Sequence, residues 1–497
     1  MDLLPPLDFA ELSLSTISPS LVLIAGALLL LLANVFVRSF DVAFRGVNVA
    51  LCAVFLGFSI VCSLHLNLGS AFFSLIHISG ITILSQVTME FVALGFILLF
   101  FTKQEASEYS TRVGEFYPLY LLMIAGFDIM VSSQHLLIIL LGLEIGSLSL
   151  VALIALSGNP RAIEAGVKYF VLGVLASVFF IVGVLCWYFA SATFDLNALR
   201  NALFAGEYIS LAAIMMGLVF MIGAIGFKIS AVPFHSWMPD IYQGSNAIVT
   251  GVVSIIPKIA AFAVAISVFS IFIRFTSSVW IHNVLYVLVV LSITLPNIAA
   301  LVQKDMKRML AFSSIAHSGF VLACIFIDKQ MSLSALYLYW FLFVFSNVGV
   351  FGLLWFVRNI SNDTYEYHRF SGLVRTLPSY ALLAGVFFIS LAGIPPFGLF
   401  FGKVAVVVSA FNADLIWLGV IMMINSAIAV FYYLRPVITM FLLPPSQGTL
   451  SAADLTYNAN LLSKSIIWIM GIMCCISIFV VQFLLDFIEK YAIVGVY

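Results

Sequence analysis

The chain has 497 residues, of which 63% are hydrophobic and only 9% are charged. Soluble domains carry about 25% charged residues, so this composition excludes a soluble protein and indicates a chain surrounded mainly by lipid. The net charge of −1 gives no basic field that would attract nucleic acid.

The chain begins with Met1–Ser18, an acidic segment that lacks the basic region of a cleavable signal peptide. We therefore predict that the first apolar run, residues 21–37, is retained as a membrane span. The cysteines lie in apolar segments without the spacing of zinc or iron–sulfur ligands, which predicts that this chain holds no metal and no cofactor. They are Cys52, Cys62, Cys186, Cys324, Cys474 and Cys475.

Apolar runs of about 20 residues, the length that crosses a bilayer as a helix, recur along the whole chain. Because these runs lack the polar and apolar alternation of barrel strands, we predict an all-α polytopic membrane protein with about 14 transmembrane helices. The predicted spans are residues 20–37, 46–64, 81–101, 116–132, 135–157, 162–190, 208–230, 242–270, 277–302, 309–327, 332–357, 379–402, 414–440 and 462–485.

Lysine and arginine are distributed unevenly between the two sides of the predicted membrane. With the N-terminus outside, 13 of these residues fall on the inner side and 4 fall on the outer side, namely Arg200, Arg274, Lys329 and Lys490. This positive-inside pattern and the even number of spans predict a multi-pass protein of the inner (plasma) membrane with both termini on the periplasmic side.

Two predicted spans are interrupted by proline near a lysine. Span 7 carries Lys228 in GAIGFKISAVPFHSWMPD, where Pro233 removes a backbone donor, and span 12 carries Lys403 in LAGIPPFGLFFGK. Broken helices at membrane depth are tolerated only against protein or a water-filled cavity, and paired broken helices are typical of transporters. We therefore predict two inverted five-helix repeats, spans 4–8 and 9–13, with broken helices 7 and 12.

These repeats divide the chain into four predicted regions. They are an N-terminal three-helix segment (1–115), a first repeat (116–270), a second repeat (277–440), and a C-terminal loop with the last helix (441–497). No polar stretch between spans is long enough to form a soluble domain that binds a nucleotide or a redox centre.

Two further ionisable residues lie deep in predicted spans. Glu144 is near the middle of span 5, and Lys258 follows Pro257 too far from either end of span 8 to reach the membrane surface easily. Glu144 has no cation one turn away on its own helix, so its partner must come from another helix, and Lys228 is the natural choice. We predict that Glu144 and the lysines at 228, 258 and 403 carry protons.

Five other ionisable residues leave two interpretations open. Lys168 lies within reach of the inner surface, so it either takes part in proton transfer or extends its ammonium group to the interface. His317 titrates near neutral pH and is a candidate relay, but it is equally a packed polar residue. His235 lies beside the span 7 break and is open in the same way, and Asp128 and Glu90, near span ends, are either interfacial acids or groups that take part in proton transfer.

Three segments, together with Glu144, resemble one family of membrane proteins. The segments are FKISAVPFHSWMPDIYQG (227–244), KDMKRMLAFSSIAHSG (304–319) and AGIPPFGLFFGK (392–403). In combination they are similar to the antiporter-like subunits of respiratory complex I, with Mrp-type sodium/proton antiporters and membrane-bound hydrogenases as relatives. Residues 244–248 depart from the family because they lack its usual prolines, which predicts a more regular start of span 8.

Within this family, the chain looks most like the N-type subunits of bacterial NADH:quinone oxidoreductase. Lys403 stands where subunit M has glutamate, and the chain ends after span 14 without the lateral helix of subunit L. The resemblance implies an ion pair between Glu144 and Lys228 in a first half-channel. It also implies a central relay at Lys258 and a second half-channel at Lys403 that leads outside.

The same resemblance implies partners and cofactors. The partners would be other membrane-arm subunits, namely the antiporter-like subunit M and the small subunits K and J. FMN, iron–sulfur clusters and quinone would belong to partner subunits, so this chain would be a non-redox subunit of a proton-translocating NADH:quinone oxidoreductase.

Two alternative functions stay open at this point. An Mrp-type sodium/proton antiporter subunit would use the same lysines, and only co-purification with redox subunits would distinguish it. A non-transporting scaffold predicts instead that neutralising Glu144, Lys228 and Lys403 is harmless.

Overall fold

The fold is almost entirely helical. A computed structural model describes residues 13–36, 42–100, 113–275, 279–356, 365–445 and 460–492. These residues form α-helices, two short 3-10 turns and one two-stranded hairpin, which confirms the predicted all-α class. Four cations used in the orientation prediction, Arg38, Lys103, Arg112 and Arg358, lie outside the described residues.

The described residues contain eighteen α-helices. They are α1 (Ser18–Phe36), α2 (Val42–Leu64), α3 (Gly80–Phe100), α4 (Val113–Val131), α5 (Leu136–Ala155), α6 (Pro160–Ser191), α7 (Leu196–Ala205), α8 (Leu211–Ile229), α9 (Met238–Gly244), α10 (Ala247–Phe275), α11 (Val279–Leu301), α12 (Met306–Ile327), α13 (Gln330–Phe356), α14 (Leu373–Thr376), α15 (Pro378–Ala392), α16 (Gly398–Phe411), α17 (Ile416–Phe441) and α18 (Leu461–Ala492).

Thirteen of these helices are long and apolar enough to cross a membrane. Each coincides with one predicted span. The remaining predicted span, residues 379–402, consists of two shorter apolar helices, α15 and α16. The prediction of about 14 membrane-crossing segments is therefore confirmed.

Both predicted helix breaks are present. Helix α8 ends at Ile229, Ser230 takes a left-handed conformation with φ 60°, and the short helix α9 begins only at Met238. Helix α15 ends in the same way at Gly393, with φ 76°, before α16 begins. A left-handed residue after the last turn is a common way to end a helix, and it redirects the chain at each break.

The start of α10 is regular, as the missing prolines predict. The helix begins at Ala247, and the Asn246 side chain accepts a hydrogen bond from the backbone nitrogen of Val249 at 2.8 Å. This side chain caps one of the amide groups that a helix leaves free at its N-terminus.

Three helices form the centre of the molecule. In the most apolar 18-residue stretch of α10, of α12 and of α13, 94% of the residues are buried inside the protein. The corresponding share is 33% in α1, α6 and α18. The first group must therefore contact protein on all sides, whereas the second presents broad apolar faces. Polar groups on the central helices are shielded from lipid.

Two elements on the predicted outer side were absent from the sequence prediction. One is a hairpin in which Gly69–Ala71 pairs antiparallel with Ile76–Ile78, and the other is the amphipathic helix α7. Strands of three residues are too short to produce a recognisable alternation, and a ten-residue helix is too short to span a bilayer. Asp195 caps α7 by accepting a hydrogen bond from the Ala198 nitrogen at 2.8 Å.

Loops assigned to the same side of the membrane contact each other. On the predicted outer side, the His77 nitrogen donates to the Ser132 carbonyl at 2.8 Å. On the predicted inner side, the Met306 nitrogen donates to the Tyr365 carbonyl at 2.9 Å. This grouping is what successive helices crossing in alternate directions require.

Glycines allow α4 and α5 to pack closely. A Cβ atom on Gly142 would lie 2.5 Å from the backbone nitrogen of Met130 and 2.6 Å from the carbonyl oxygen of Gly126. Small residues spaced four apart, here Gly142 and Gly146, let the backbones of membrane helices approach each other. This contact fixes the helix that carries Glu144.

We predict that Gly142→Ala destabilises the protein, because the added methyl group must push two backbones apart, at about 1–3 kcal/mol. Thermal unfolding of the purified protein in detergent measures the effect. The matched control is Gly57→Ala on α2, where a Cβ atom would meet nothing within 4 Å. Equal unfolding temperatures for the two variants would refute the close-packing interpretation.

Candidate functional site

Lys258 lies at the centre of the helical core and is 1% exposed. Its ammonium group donates to the Ser314 carbonyl at 2.9 Å, to the Ser314 hydroxyl at 2.8 Å and to the Ser318 hydroxyl at 2.9 Å. A lysine ammonium has three donors, so these contacts satisfy all of them. The second predicted repeat thus supplies, through α12, the oxygen atoms that hold the lysine of the first.

His317 lies on the same helix as both serines and is also buried. Its Nδ1 hydrogen-bonds the Tyr339 hydroxyl at 2.5 Å, and its Nε2 hydrogen-bonds the Tyr433 hydroxyl at 2.8 Å. Tyr433 also hydrogen-bonds Ser313. With both ring nitrogens engaged, the imidazole joins three helices, α12, α13 and α17.

Lys403 reaches back across the break between α15 and α16. Its ammonium group donates to the Ala392 carbonyl at 2.8 Å and to the Leu391 carbonyl at 3.4 Å. These carbonyls are at the C-terminus of α15, where backbone acceptors are free and the helix dipole is negative. A Cβ atom on Gly393 would lie 2.7 Å from the Lys403 side chain, so glycine makes room for this contact.

Lys228 lies in the last turn of α8 and is 4% exposed. Its ammonium group donates to the Ser147 hydroxyl at 2.7 Å and lies 5.4 Å from the centre of the Tyr169 ring. Ser147 is one helical turn from Glu144 on α5, and Glu144 itself accepts a hydrogen bond from Ser177. In this structure Lys228 contacts Ser147, so the ion pair with Glu144 stays a prediction.

A cavity of about 180 Å3 opens at the first break. Its lining includes Phe227, Pro233, Ser236 and Trp237, together with apolar residues of α6. A space of this size has room for several water molecules. The break therefore leaves a cavity large enough for water next to the end of α8, the helix that carries Lys228.

Lys168 occupies a surface network rather than the interior. Its ammonium group lies 2.8 Å from Asp240 and 2.8 Å from Glu164, and its side chain is 42% exposed. Arg308 contacts the other oxygen of Asp240 at 3.1 Å. The network joins α6, α9 and α12 at the predicted inner face. His235, in the break, is half-buried and lies outside this network.

The interpretation of Glu90 and Asp128 as interfacial acids is wrong. Both side chains are 0% exposed, and Glu90 accepts hydrogen bonds from Ser59 and Ser63 on α2. Their positions near span ends suggested the interface, but α2, α3 and α4 pack around them and the hairpin contacts the loop beyond α4. This protein cover was invisible in the sequence.

Four uncharged residues of the site were not identified from the sequence: Ser314, Ser318, Tyr339 and Tyr433. Serine and tyrosine are common in membrane helices, so nothing marked these four apart from others. For Ser314 and Ser318, the available signal was their position beside His317 in SSIAHSG. Among the described residues, no group of three or more His, Cys, Asp or Glu side chains is arranged to bind a metal ion.

Buried, hydrogen-bonded cations beside helix breaks define a class of polytopic membrane proteins built for ion transfer. Residues 133–429 match the family described as NADH:quinone oxidoreductase/Mrp antiporter, TM, and the chain belongs to this family. It is 42% identical over 490 residues to NADH-quinone oxidoreductase subunit N of Helicobacter acinonychis, covering 97% of this chain and 98% of that protein.

Other comparisons agree with this assignment. The chain is 40% identical over 497 residues to NADH-quinone oxidoreductase subunit N of Campylobacter hominis, covering 98% of this chain and 99% of the relative. A chain of respiratory complex I from Thermus thermophilus superposes with a TM-score of 0.77 at 26% identity, covering 94% and 98% of the two chains. The resemblance to N-type subunits is therefore confirmed.

A chain of the Mrp complex from Dietzia has the same fold. Its TM-score is 0.80, but its identity is only 17%, with 97% of each chain covered. At this identity the similarity shows a shared architecture only.

We predict that the Asp240 network makes stability depend on pH. Partial burial raises the pKa of Asp240, but hydrogen bonds from Lys168 and Arg308 outweigh it, and the pKa lies below its usual value. Because folding lowers this pKa, the stabilisation is present above the usual value of about 3.9 and is lost as pH falls through the folded value. At pH 7, Asp240→Asn should lower the free energy of unfolding by no more than about 1 kcal/mol, because Asp240 and its two cationic partners are partly exposed. The unfolding temperature should fall accordingly.

The difference between wild type and Asp240→Asn should shrink as pH falls below about 4. Unfolding temperatures measured across that range test this. A difference that stays constant with pH would show that the carboxylate charge does not stabilise the network.

Proposed function

We propose that this chain is a proton-translocating membrane-arm subunit of an NADH:quinone oxidoreductase and that it conducts protons along Glu144, Lys228, Lys258, His317 and Lys403. The observation that carries the proposal is the hydrogen bonding of Lys258, a fully buried cation held by oxygen atoms of the second repeat. A charged side chain inside a membrane protein costs at least a few kcal/mol of free energy, and a purely structural scaffold would not require one.

The route has a natural order. In the first repeat, Ser147 contacts Lys228 and lies one helical turn from Glu144 on α5. Its hydroxyl group would therefore carry a proton from Glu144 to Lys228. Lys258 follows, and its serine partners lie close to His317 on α12, Ser314 about one turn before it and Ser318 directly after it. Both Lys258 and Lys403 lie close enough to His317 for their charges to act on it, which supports an order in which the histidine follows the central lysine and precedes the outer one.

The electrical work of moving a proton across the membrane is similar in size to the energy of the hydrogen bonds at Lys258. Moving one charge across 100 mV takes about 2.3 kcal/mol. A hydrogen bond to a charged group contributes about 1.5–3 kcal/mol. Breaking or remaking one or two serine contacts at Lys258 therefore matches the electrical work of one proton, so small rearrangements of α12 are sufficient to load or release it.

Lys168 has a different role in the proposal. Its two carboxylate partners and its exposure support a position at the inner entrance, where it would organise charge around Asp240 rather than take up protons deep in the membrane. The predicted part of Lys168 in translocation is retained in this limited sense.

The chain would hold no redox group itself. FMN, iron–sulfur clusters and quinone would belong to partner subunits, and the broad apolar faces of the outer helices would contact lipid, subunit M and the small subunits K and J. The four predicted regions, 1–115, 116–270, 277–440 and 441–497, and a plasma-membrane location with both termini outside, complete the proposal.

The Mrp-type alternative has weaker support. Several relatives with 36–44% identity are described as subunit N of NADH-quinone oxidoreductase, whereas the chain of the Mrp complex is 17% identical. Purification of the tagged chain from its native membrane tests the distinction. Recovery of subunits with flavin and iron–sulfur clusters is expected, and recovery of an assembly without redox centres would favour the antiporter.

We predict that Lys258→Met abolishes proton pumping by this route in assembled enzyme, because methionine keeps the shape of the side chain but carries no proton. Proton uptake into membrane vesicles during NADH oxidation measures the effect, and pumping should fall at least about tenfold. Lys490→Met, an exposed lysine near the C-terminus, is the matched control and should leave pumping unchanged. Normal pumping by Lys258→Met would remove this lysine from the route.

We predict that Lys403→Met and Lys403→Arg both reduce pumping, although arginine still offers cationic donors to the Ala392 carbonyl and should keep more of the stability. Neither side chain can take up and release a proton, because methionine has none and arginine stays charged. Pumping and unfolding temperature are measured together. Near-normal pumping by Lys403→Arg would indicate that Lys403 only caps α15.

A further inference from the structure

A second group of buried ionisable side chains lies away from the lysine row. Glu90 on α3 and Asp128 on α4 face each other, and both are completely shielded from solvent. Their carboxyl groups are within hydrogen-bonding reach of one another. None of the residues in the proposed route belongs to this group.

The two acids differ in their other contacts. Glu90 accepts hydrogen bonds from Ser59 and from Ser63, the latter at 3.1 and 3.2 Å. Neither carboxylate oxygen of Asp128 has a donor in the structure. An unpartnered buried carboxylate costs several kcal/mol, and its nearest polar neighbour is another acceptor.

In the described part of the chain, no cation is among the groups that act on either acid. The charge that acts on Asp128 is that of Glu90, and the hydrogen-bonding neighbours of Glu90 are Ser59, Ser63 and Asp128. Helix α2 presents the hydroxyls of Ser59 and Ser63, and a further polar neighbour is Gln86, whose amide oxygen is also buried and without a partner.

We propose that Glu90 and Asp128 form a proton-binding site in which one proton is shared between the two carboxyl groups. Two carboxylates this close in a low-dielectric environment do not both ionise. A proton between them gives Asp128 the missing donor and leaves one negative charge, which the two serines of α2 stabilise at Glu90. The inference goes beyond the proposed function and does not depend on the lysine row.

A polar path connects this site to the predicted outer side. The Gln86 amide donates to the backbone carbonyl of Asp128 at 3.4 Å and to the Ser132 hydroxyl, just beyond the end of α4, at 3.1 Å. The next residue, Ser133, donates to the Leu75 carbonyl in the hairpin at 2.6 Å. The site therefore exchanges its proton with the outer side, one to two helical turns from the ends of α2 and α4.

Infrared spectroscopy of the purified complex tests the proposal. At pH 7 the wild type should show a carbonyl-stretch band of a protonated carboxylic acid that is absent from the variant Glu90→Gln/Asp128→Asn. The band should also shift in heavy water, because the proton exchanges. Amides of the same shape preserve packing, and Glu115→Gln, an exposed acid on α4, should keep the band.

Identical absorption in wild type and the double variant would overturn the proposal, since both acids would then be ionised. Should the double variant not assemble, Asp128→Asn alone is sufficient. In it the band should move, because the partner of Glu90 changes from a carboxyl to an amide group. A band that stays in place would likewise refute a shared proton.

Discussion

A lysine ammonium group is stable inside a membrane protein only where oxygen atoms replace its lost water. This constraint organises the structure. Lys258 takes its three oxygens from α12, Lys228 takes one from α5, and Lys403 takes carbonyls from α15. Each contact crosses from one helix to another, so the positions of the central helices and the protonation of the lysines depend on each other.

The two helix breaks meet this constraint in different ways. At the first, Lys228 lies at the C-terminal end of α8 itself, next to a cavity that can hold water. At the second, Lys403 begins in α16 and returns to the free carbonyls of α15. The shared feature is a lysine beside a negative helix end, where the dipole favours a cation and proton release requires a change in the surroundings.

The sequence was sufficient for the spans, the breaks and the lysines, because these are local properties of composition and proline position. It was insufficient for the partners. Ser314 lies 56 residues from Lys258, and Asp128 lies on a different helix from Glu90, so only tertiary packing brings them together. The burial of Glu90 and Asp128 was misjudged because both lie near the ends of their own spans. In the folded protein, neighbouring helices and the hairpin cover these span ends.

In the proposed mechanism, water and hydroxyl groups connect the buried lysines into one path. A cryo-electron microscopy structure of the assembled complex, at a resolution that shows water, tests this most directly. Ordered water is expected between Lys228 and Lys258 and between His317 and Lys403 in at least one state of the working enzyme. Tightly packed apolar side chains, with no water between these residues in every resolved state, would contradict it.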